Sequence, residues 1–189
     1  MNRREAIAAV AYIMGSTVVG AEVFLSGCQR SSSDETLSFS ENTVALLDEV
    51  AETILPSTAA SPGAKEAHIG SFIKTMVTDC YEEKDQKIFA AGLDKLQEVS
   101  KEKFKDNFQK LSAGNKHALL VNLDNEAKSY QKSKKEDEPN HYFTMLKQLT
   151  LLGYFTSELG ATQALNYLPV PGRFEGCIPY KKGDKAWAM

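Results

Sequence analysis

Cysteine, histidine and tryptophan are scarce in this chain of 189 residues, which holds three, three and one of them. Cys28, Cys80 and Cys177 lie far apart, so the Cys-x-x-Cys-His run that attaches a c-type haem is absent. His68, His117 and His141 sit singly in separate segments, with no second histidine three to five residues away, which argues against a metal site of ordinary spacing. No Gly-x-Gly-x-x-Gly turn opens a nucleotide-binding unit, and Ser157 has no Gly-x-Ser-x-Gly elbow around it. A basic excess is missing too: 22 Lys and Arg stand against 25 Asp and Glu, mixed along the chain, so no stripe for a phosphate backbone is formed. No internal repeat is visible, and no segment alternates with period two for long enough to build a sheet. These absences assign no catalytic residue, no cofactor-binding residue and no metal ligand to this chain, and they leave an enzyme in its own right as the least supported reading.

What the chain does contain begins with a leader. Asn2-Arg3-Arg4 precedes an uncharged apolar run over residues 6–21, and Leu25-Ser26-Gly27-Cys28 follows. The pattern predicts a lipoprotein signal peptide over residues 1–27, cut before a Cys28 that becomes acylated. A plain secretory signal with an incidental cysteine is the alternative. Arg3 and Arg4 suit a twin-arginine export signal, although Ala6 stands where that pattern usually has a large apolar residue, and general secretory export accounts for the pair by charge alone. Glu22 is an unusual carboxylate so close behind the apolar run. The leader carries Arg3, Arg4, Glu5 and Glu22, so its removal leaves the formal charge at −3. Residues 28–39, polar and serine-rich, read as a flexible tether, and residues 40–189 as a single helical domain.

Helical periodicity dominates that domain. Val44, Leu47, Val50, Ala51 and Ile54 share one face of a first helix that Ser40 or Asn42 can cap and Pro56 ends. Ile69, Phe72, Ile73, Met76, Val77 and Cys80 make the inward stripe of a second helix over residues 66–80, with Pro62-Gly63 as the punctuation before it. A third helix, residues 85–104, carries Phe89, Leu93, Leu96 and Phe104 among many lysines and glutamates that face water. The fourth starts after Ser112 and uses Leu119, Leu120, Leu123 and Ala127. Residues 131–140 contain no apolar side chain; their mixed charges read as an exposed loop, because Glu136, Asp137 and Glu138 cancel the nearby lysines. The fifth helix, residues 141–159, places Phe143, Leu146, Leu149, Leu152 and Phe155 at steps of three, widened by Tyr142, Met145 and Leu159. A helix apolar over most of its circumference is a buried one, so this is the expected centre of the fold, started by His141 and stopped by Gly160 in a left-handed cap. The fold class is therefore all-α: a bundle of about five main helices, followed by a long ordered C-terminal loop. Pro169, Pro171, Gly172, Gly176 and Pro179 prevent regular structure in that loop, while Tyr167, Leu168, Val170, Phe174 and Ile178 give it more apolar area than a disordered tail carries.

The run Gly153-Tyr154-Phe155-Thr156-Ser157-Glu158 with Gly160-Ala161-Thr162, then Pro169-Val170-Pro171-Gly172-Arg173-Phe174 and Gly176-Cys177, resembles the C-terminal signature of the gluconate 2-dehydrogenase subunit 3 family. The resemblance implies a non-catalytic small subunit of a bacterial envelope dehydrogenase acting on gluconate or a related sugar or sugar acid. Its partner would be a large FAD-dependent flavoprotein of the glucose-methanol-choline type, often with a cytochrome c subunit, and the small subunit would hold no redox cofactor of its own. Its roles would be export, maturation and membrane attachment of the large subunit, at the periplasmic side of the envelope. An autonomous helical lipoprotein that binds a ligand or another envelope protein, without a dehydrogenase, is the other class.

Four residues of the signature region are candidate partner contacts: Glu158, Tyr167, Arg173 and Phe174. Aromatic and arginine side chains are the usual interface anchors, and ordered loops often carry function. Glu158 could equally bind loop amides, and Arg173 the carbonyls of the Pro-Gly turn. An oxidising envelope makes a Cys80 to Cys177 disulfide the first expectation, tying the loop to the bundle; the competing arrangement leaves Cys80 a buried thiol and pairs Cys177 with a cysteine of the partner.

Overall fold

In the computed structural model, residues 39–170, 172–173 and 176–188 are described, and all of them fall within one compact unit. The expected leader with Arg3 and Arg4, the expected acylation site Cys28, the expected tether up to residue 38, and Phe174 lie outside the described residues. Among the described residues, five helices make the bundle: α1 (Glu41–Ile54), α2 (Ile69–Cys80), α3 (Glu83–Phe104), α4 (Ala113–Ser133) and α5 (Tyr142–Thr156). A 3-10 turn (Phe108–Lys110) joins α3 to α4, and a π-helical turn (Gly160–Ala164) follows α5. The only regular extended structure among the described residues is a parallel pair of two-residue strands, β1 (Asn166–Tyr167) and β2 (Trp187–Ala188). The all-α class holds.

The starts of the helices follow their capping chemistry. Ser40 accepts from the Thr43 N–H at 3.2 Å and Ser112 from that of Asn115 at 3.4 Å, so two orphan amides are satisfied by hydroxyls one turn back. His141 caps α5 in the same way: its Nδ1 accepts from the Phe143 N–H at 3.2 Å. α2 begins differently. Its preceding residue, His68, is left-handed with φ 53°, and the side chain makes no cap. Instead Asp48 of α1 reaches across and accepts the Gly70 N–H at 2.7 Å, while Glu52 accepts the Ser57 and Lys65 amides, each at 2.9 Å. Carboxylates of α1 thus organise residues 57–70, and α2 starts at Ile69, three residues later than the apolar spacing predicts.

α5 touches each of the other four helices, which makes it the hub of the bundle. Tyr142, Phe143, Met145, Leu146 and Leu149 are buried there against Leu47, Val50, Ile73, Val77, Phe89 and Leu96 of the same core. Close approach is built in: a Cβ on Gly92 of α3 would fall 2.1 Å from the Tyr142 ring, so only glycine lets those two helices meet. Tyr154, also buried, donates its hydroxyl to the Pro62 carbonyl at 2.6 Å and ties the end of α5 to the loop before α2. Phe39, counted with the tether by composition, belongs to the core, edge-on to Phe89 with ring centroids 6.3 Å apart.

Three expectations change. The steps-of-three row on α5 is not buried along its whole length: Leu152 is 49% exposed, and Leu151 and Phe155 also face solvent. A helix turns about 100° per residue, so Leu152 lies roughly half a turn around from Phe143, and the row winds out of the core. Gly160 is no left-handed cap. α5 ends where Ser157 turns extended, and Ser157 Oγ then accepts the Gly160 N–H at 3.0 Å to start the π-helical turn. Gly160 is needed because a Cβ would fall 1.8 Å from the Tyr154 carbonyl oxygen. Cys80, finally, does not point inward. The inner row of α2 runs Ile73, Val77 and then Tyr81, which packs against the core, leaving Cys80 exposed.

Candidate partner interface

The described residues between 165 and 188 form a strap closed at its base. β1 and β2 pair in register, Asn166 with Trp187 and Tyr167 with Ala188; the Asn166 N–H donates to the Ala186 carbonyl at 2.8 Å. The Asn166 side-chain amide donates to the Lys185 carbonyl at 3.0 Å, and the Lys185 ammonium donates to the Gln163 carbonyl, which anchors the closure on the π-helical turn. A tight turn before β2 has the Lys181 N–H on Asp184 Oδ2 at 2.8 Å, with Gly183 at φ 101° supplying the left-handed residue.

The large apolar side chains among the described residues of this segment face solvent. Val170 is 78% exposed and Tyr180 76%; Tyr167, Leu168, Ile178 and Trp187 are each about half exposed. Aromatic side chains of this size present about 150–250 Å² each. Tyr167, Tyr180 and Trp187 together therefore offer on the order of 400 Å², roughly half of what one partner contributes to a standard interface.

Of the contact candidates, Tyr167 lies in β1 at the strap's base, and Arg173 is exposed and already engaged by a neighbouring group. Glu158 is exposed two residues before the π-helical turn, where its backbone carbonyl accepts the Thr162 hydroxyl at 2.6 Å. Cys80 and Cys177 are both free, exposed thiols, so the expected internal disulfide is not what holds the strap; the strand pair and the Lys185 contact do. Sequence reasoning missed Trp187 and Tyr180 as members of this surface. Their signal was available, as large aromatics beyond the last helix, but only the pairing of β2 with β1 brings them back beside Tyr167.

Polar clusters elsewhere read as structural. Glu49 pairs with both Lys116, at 2.7 Å, and Lys65; burial alone would raise its carboxyl, but the two ammoniums outweigh that and hold it below the ordinary range. Asp124 pairs with Lys128 at 2.6 Å and Lys147 at 2.7 Å, which lower its pKa in the same way. A cleft of about 590 Å³ between α1, α3 and the 3-10 turn is lined by Asn42, Gln97, Lys101 and Lys110, and Gln97 there is committed to Gln109 and the Phe108 N–H. Among the described residues, no three His, Cys, Asp or Glu side chains are placed to hold a metal ion, and no helix is long and apolar enough to cross a membrane.

A family model described as gluconate 2-dehydrogenase subunit 3 matches residues 41–172, which takes in all five helices, the π-helical turn, β1 and the start of the strap. No curated protein and no solved structure matches the chain.

Proposed function

Because the chain belongs to the gluconate 2-dehydrogenase subunit 3 family, we propose that it is the non-catalytic small subunit of an envelope dehydrogenase whose large subunit is an FAD-dependent flavoprotein of the glucose-methanol-choline type. The complex oxidises gluconate or a related sugar or sugar acid, with a cytochrome c subunit as a further member. The small subunit assists export and maturation of the large one and holds it at the membrane through lipid on Cys28, on the periplasmic side. Two acyl chains or more make such an anchor stable.

The observation that carries this reading is the strap. A strand pair fixes it, yet it leaves Tyr167, Leu168, Val170, Ile178, Tyr180 and Trp187 in water, an arrangement that costs free energy unless another surface covers them. Tyr167 and Arg173, with Phe174 and Glu158, are the contacts this reading assigns to the flavoprotein. Cys177, free and exposed on the strap, is available to a cysteine of that subunit.

Tagged full-length chain recovered from its native membranes tests the reading. The expected result is a co-eluting large polypeptide with flavin absorbance and an N-terminal acylated cysteine on the small one. A chain that elutes alone, with no flavin, points to the autonomous lipoprotein and overturns the subunit reading; an unmodified Cys28 sinks the anchor. Replacing both Tyr167 and Arg173 with alanine is expected to release the flavoprotein without unfolding the bundle.

A further inference from the structure

The cleft of about 590 Å³ between α1, α3 and the 3-10 turn has an apolar floor and a polar rim. Leu46 of α1 and Leu93 of α3, each only 3% exposed, form the floor. The 3-10 turn is tied to α3 as one wall: the buried Ser100 hydroxyl donates to the Asp106 carbonyl at 3.1 Å, and Gln97 Oε1 accepts the Phe108 N–H at 3.1 Å. That backbone donor fixes which way the Gln97 amide lies, so its Nε2 is the atom that donates to Gln109 Oε1 at 2.8 Å. Gln109 is oriented in turn. Its oxygen is taken, and both hydrogens of its Nε2 are left without an acceptor among the described residues. The structural role of Gln97 thus presents a fixed, half-buried donor to the cleft.

Around that amide the rim carries Asn42, Asp94, Lys101, Asn107 and Lys110. None of these five side chains has a hydrogen-bond or ion-pair partner among the described residues, whereas Lys95, Lys116, Lys128 and Lys147 of the same bundle are each paired with a carboxylate. What each group lacks specifies the ligand. Two ammoniums against one carboxylate attract a net negative charge. Asp94 can only accept, so the ligand must also carry hydroxyl donors, which a bare anion does not. Lys101 stands two turns along α3 from Asp94, about 10 Å, and this gives the cleft a carboxylate end and a cationic end. The carboxamides of Asn42, Asn107 and Gln109 both donate and accept, as hydroxyls do, and the leucine floor suits a carbon backbone. The volume falls within the roughly 300–1,000 Å³ of small-molecule sites.

We propose that this cleft is a binding site for a small polyhydroxylated anion, a sugar acid or a sugar phosphate. Its carboxylate or phosphate meets Lys101 and Lys110, and its hydroxyls meet Gln109 and Asp94. The site belongs to this chain alone and does not depend on the subunit reading above.

The test is calorimetric titration of the purified full-length chain with gluconate and with glucose 6-phosphate, set against glucose, acetate and inorganic phosphate. Saturable binding of at least one hydroxylated anion in the millimolar range or tighter is expected, with the three simpler probes weaker by at least about tenfold. Which of the two binds tells a carboxylate ligand from a phosphate one. Lys101→Gln with Lys110→Gln is expected to weaken that binding at least about tenfold at an unchanged melting temperature, since both side chains are exposed and unpaired. Asp94→Asn is expected to weaken the hydroxylated anion while strengthening inorganic phosphate, a reversal that loss of fold cannot produce. Inorganic phosphate binding as tightly as the hydroxylated anions means an adventitious ion only and overturns the proposal. So does binding that the lysine pair leaves unchanged, or no saturable binding of either hydroxylated anion. None of these results touches the subunit reading, whose readout is co-purified flavin.

Discussion

The first half of α5 and the strap are made of similar side chains, tyrosines, leucines and phenylalanine or tryptophan, and they end in opposite places. Tyr142, Phe143, Leu146 and Leu149 are at most 5% exposed, whereas Val170 and Tyr180 are more than three quarters exposed. The backbone decides. A helix satisfies its own amides and carbonyls and can be buried on every side, but a strap interrupted by Pro169, Pro171 and Pro179 cannot, since its polar groups need water or a partner to hydrogen-bond. On the strap the large apolar side chains therefore stay at the surface of their own chain and become available to another one.

The comparison breaks most visibly under truncation. Phe89→Ala removes a fully buried ring between α3 and Phe39 and is expected to cost about 3–5 kcal/mol in chemical denaturation. Tyr180→Ala in the strap is expected to stay within about 0.5 kcal/mol of wild type in the isolated chain. Equal losses at the two sites would mean that the strap is part of the core, and the partner argument would lose its basis.

Overpacking comes next. Gly92→Ala pushes a methyl group into the Tyr142 ring, and the expected loss is about 1–3 kcal/mol, read as a drop in denaturation midpoint at constant m-value. The same substitution at Gly114, where a Cβ would meet nothing, is expected to be neutral or slightly stabilising, since alanine is the better helix former.

A smaller effect concerns pH. Burial lowers the pKa of His141, opposed by the Glu126 carboxylate, whose oxygen lies 3.8 Å from Nε2, and reinforced by Lys95, which shares that carboxylate. Nδ1 must stay unprotonated to accept the Phe143 N–H. A folded pKa below the unfolded value near 6.5 means that the unfolded chain binds the proton more readily, so the contribution is present above about pH 6.5 and is lost as pH falls through that value towards the folded pKa. Midpoints measured between pH 7.5 and 5 are expected to fall for wild type and to fall less for His141→Asn, which keeps an N-cap acceptor without titrating. Identical slopes would show that other groups carry the pH dependence.

Much of this architecture was legible because it is local. Ser40, Ser112 and His141 announce helix starts, Pro56 an end, and the rows of Leu47, Val50, Phe89, Leu93, Leu120 and Leu123 announce which faces turn inward. What was not legible depends on distant partners or on accumulated rotation. His68 is left-handed and makes no cap, and Asp48, 22 residues before Gly70, takes the amide that a cap would otherwise hold. Leu152 is exposed because a row at steps of three winds around its helix. In the candidate interface, the sequence pointed to Tyr167 and Arg173 through their surroundings, but the return of Trp187 to Asn166 is a long-range pairing with no local signal.

The last comparison sets the two cysteines against the strand pair as the device that holds the strap. Had Cys80 and Cys177 been bonded, they would close a loop of nearly one hundred residues, and chain entropy would make that link worth up to about 4.7 kcal/mol. Both are free and exposed, and Cys80 ends α2 on the side that Tyr81, not it, turns to the core. Cys80→Ser with Cys177→Ser is therefore expected to shift the stability of the isolated chain by less than about 0.5 kcal/mol, in reducing or oxidising buffer alike. A loss of several kcal/mol confined to oxidising buffer would restore the internal bond and make the strap a covalently fixed part of the bundle. Applied to the native complex, the same pair of substitutions separates two partners for Cys177. If the large subunit holds it, a non-reducing gel of wild type shows a band of the summed mass that Cys177→Ser removes and Cys80→Ser does not. If that band is absent in wild type, no disulfide joins the strap to the large subunit, and the proposed contact of Tyr167, Val170, Tyr180 and Trp187 rests on packing alone.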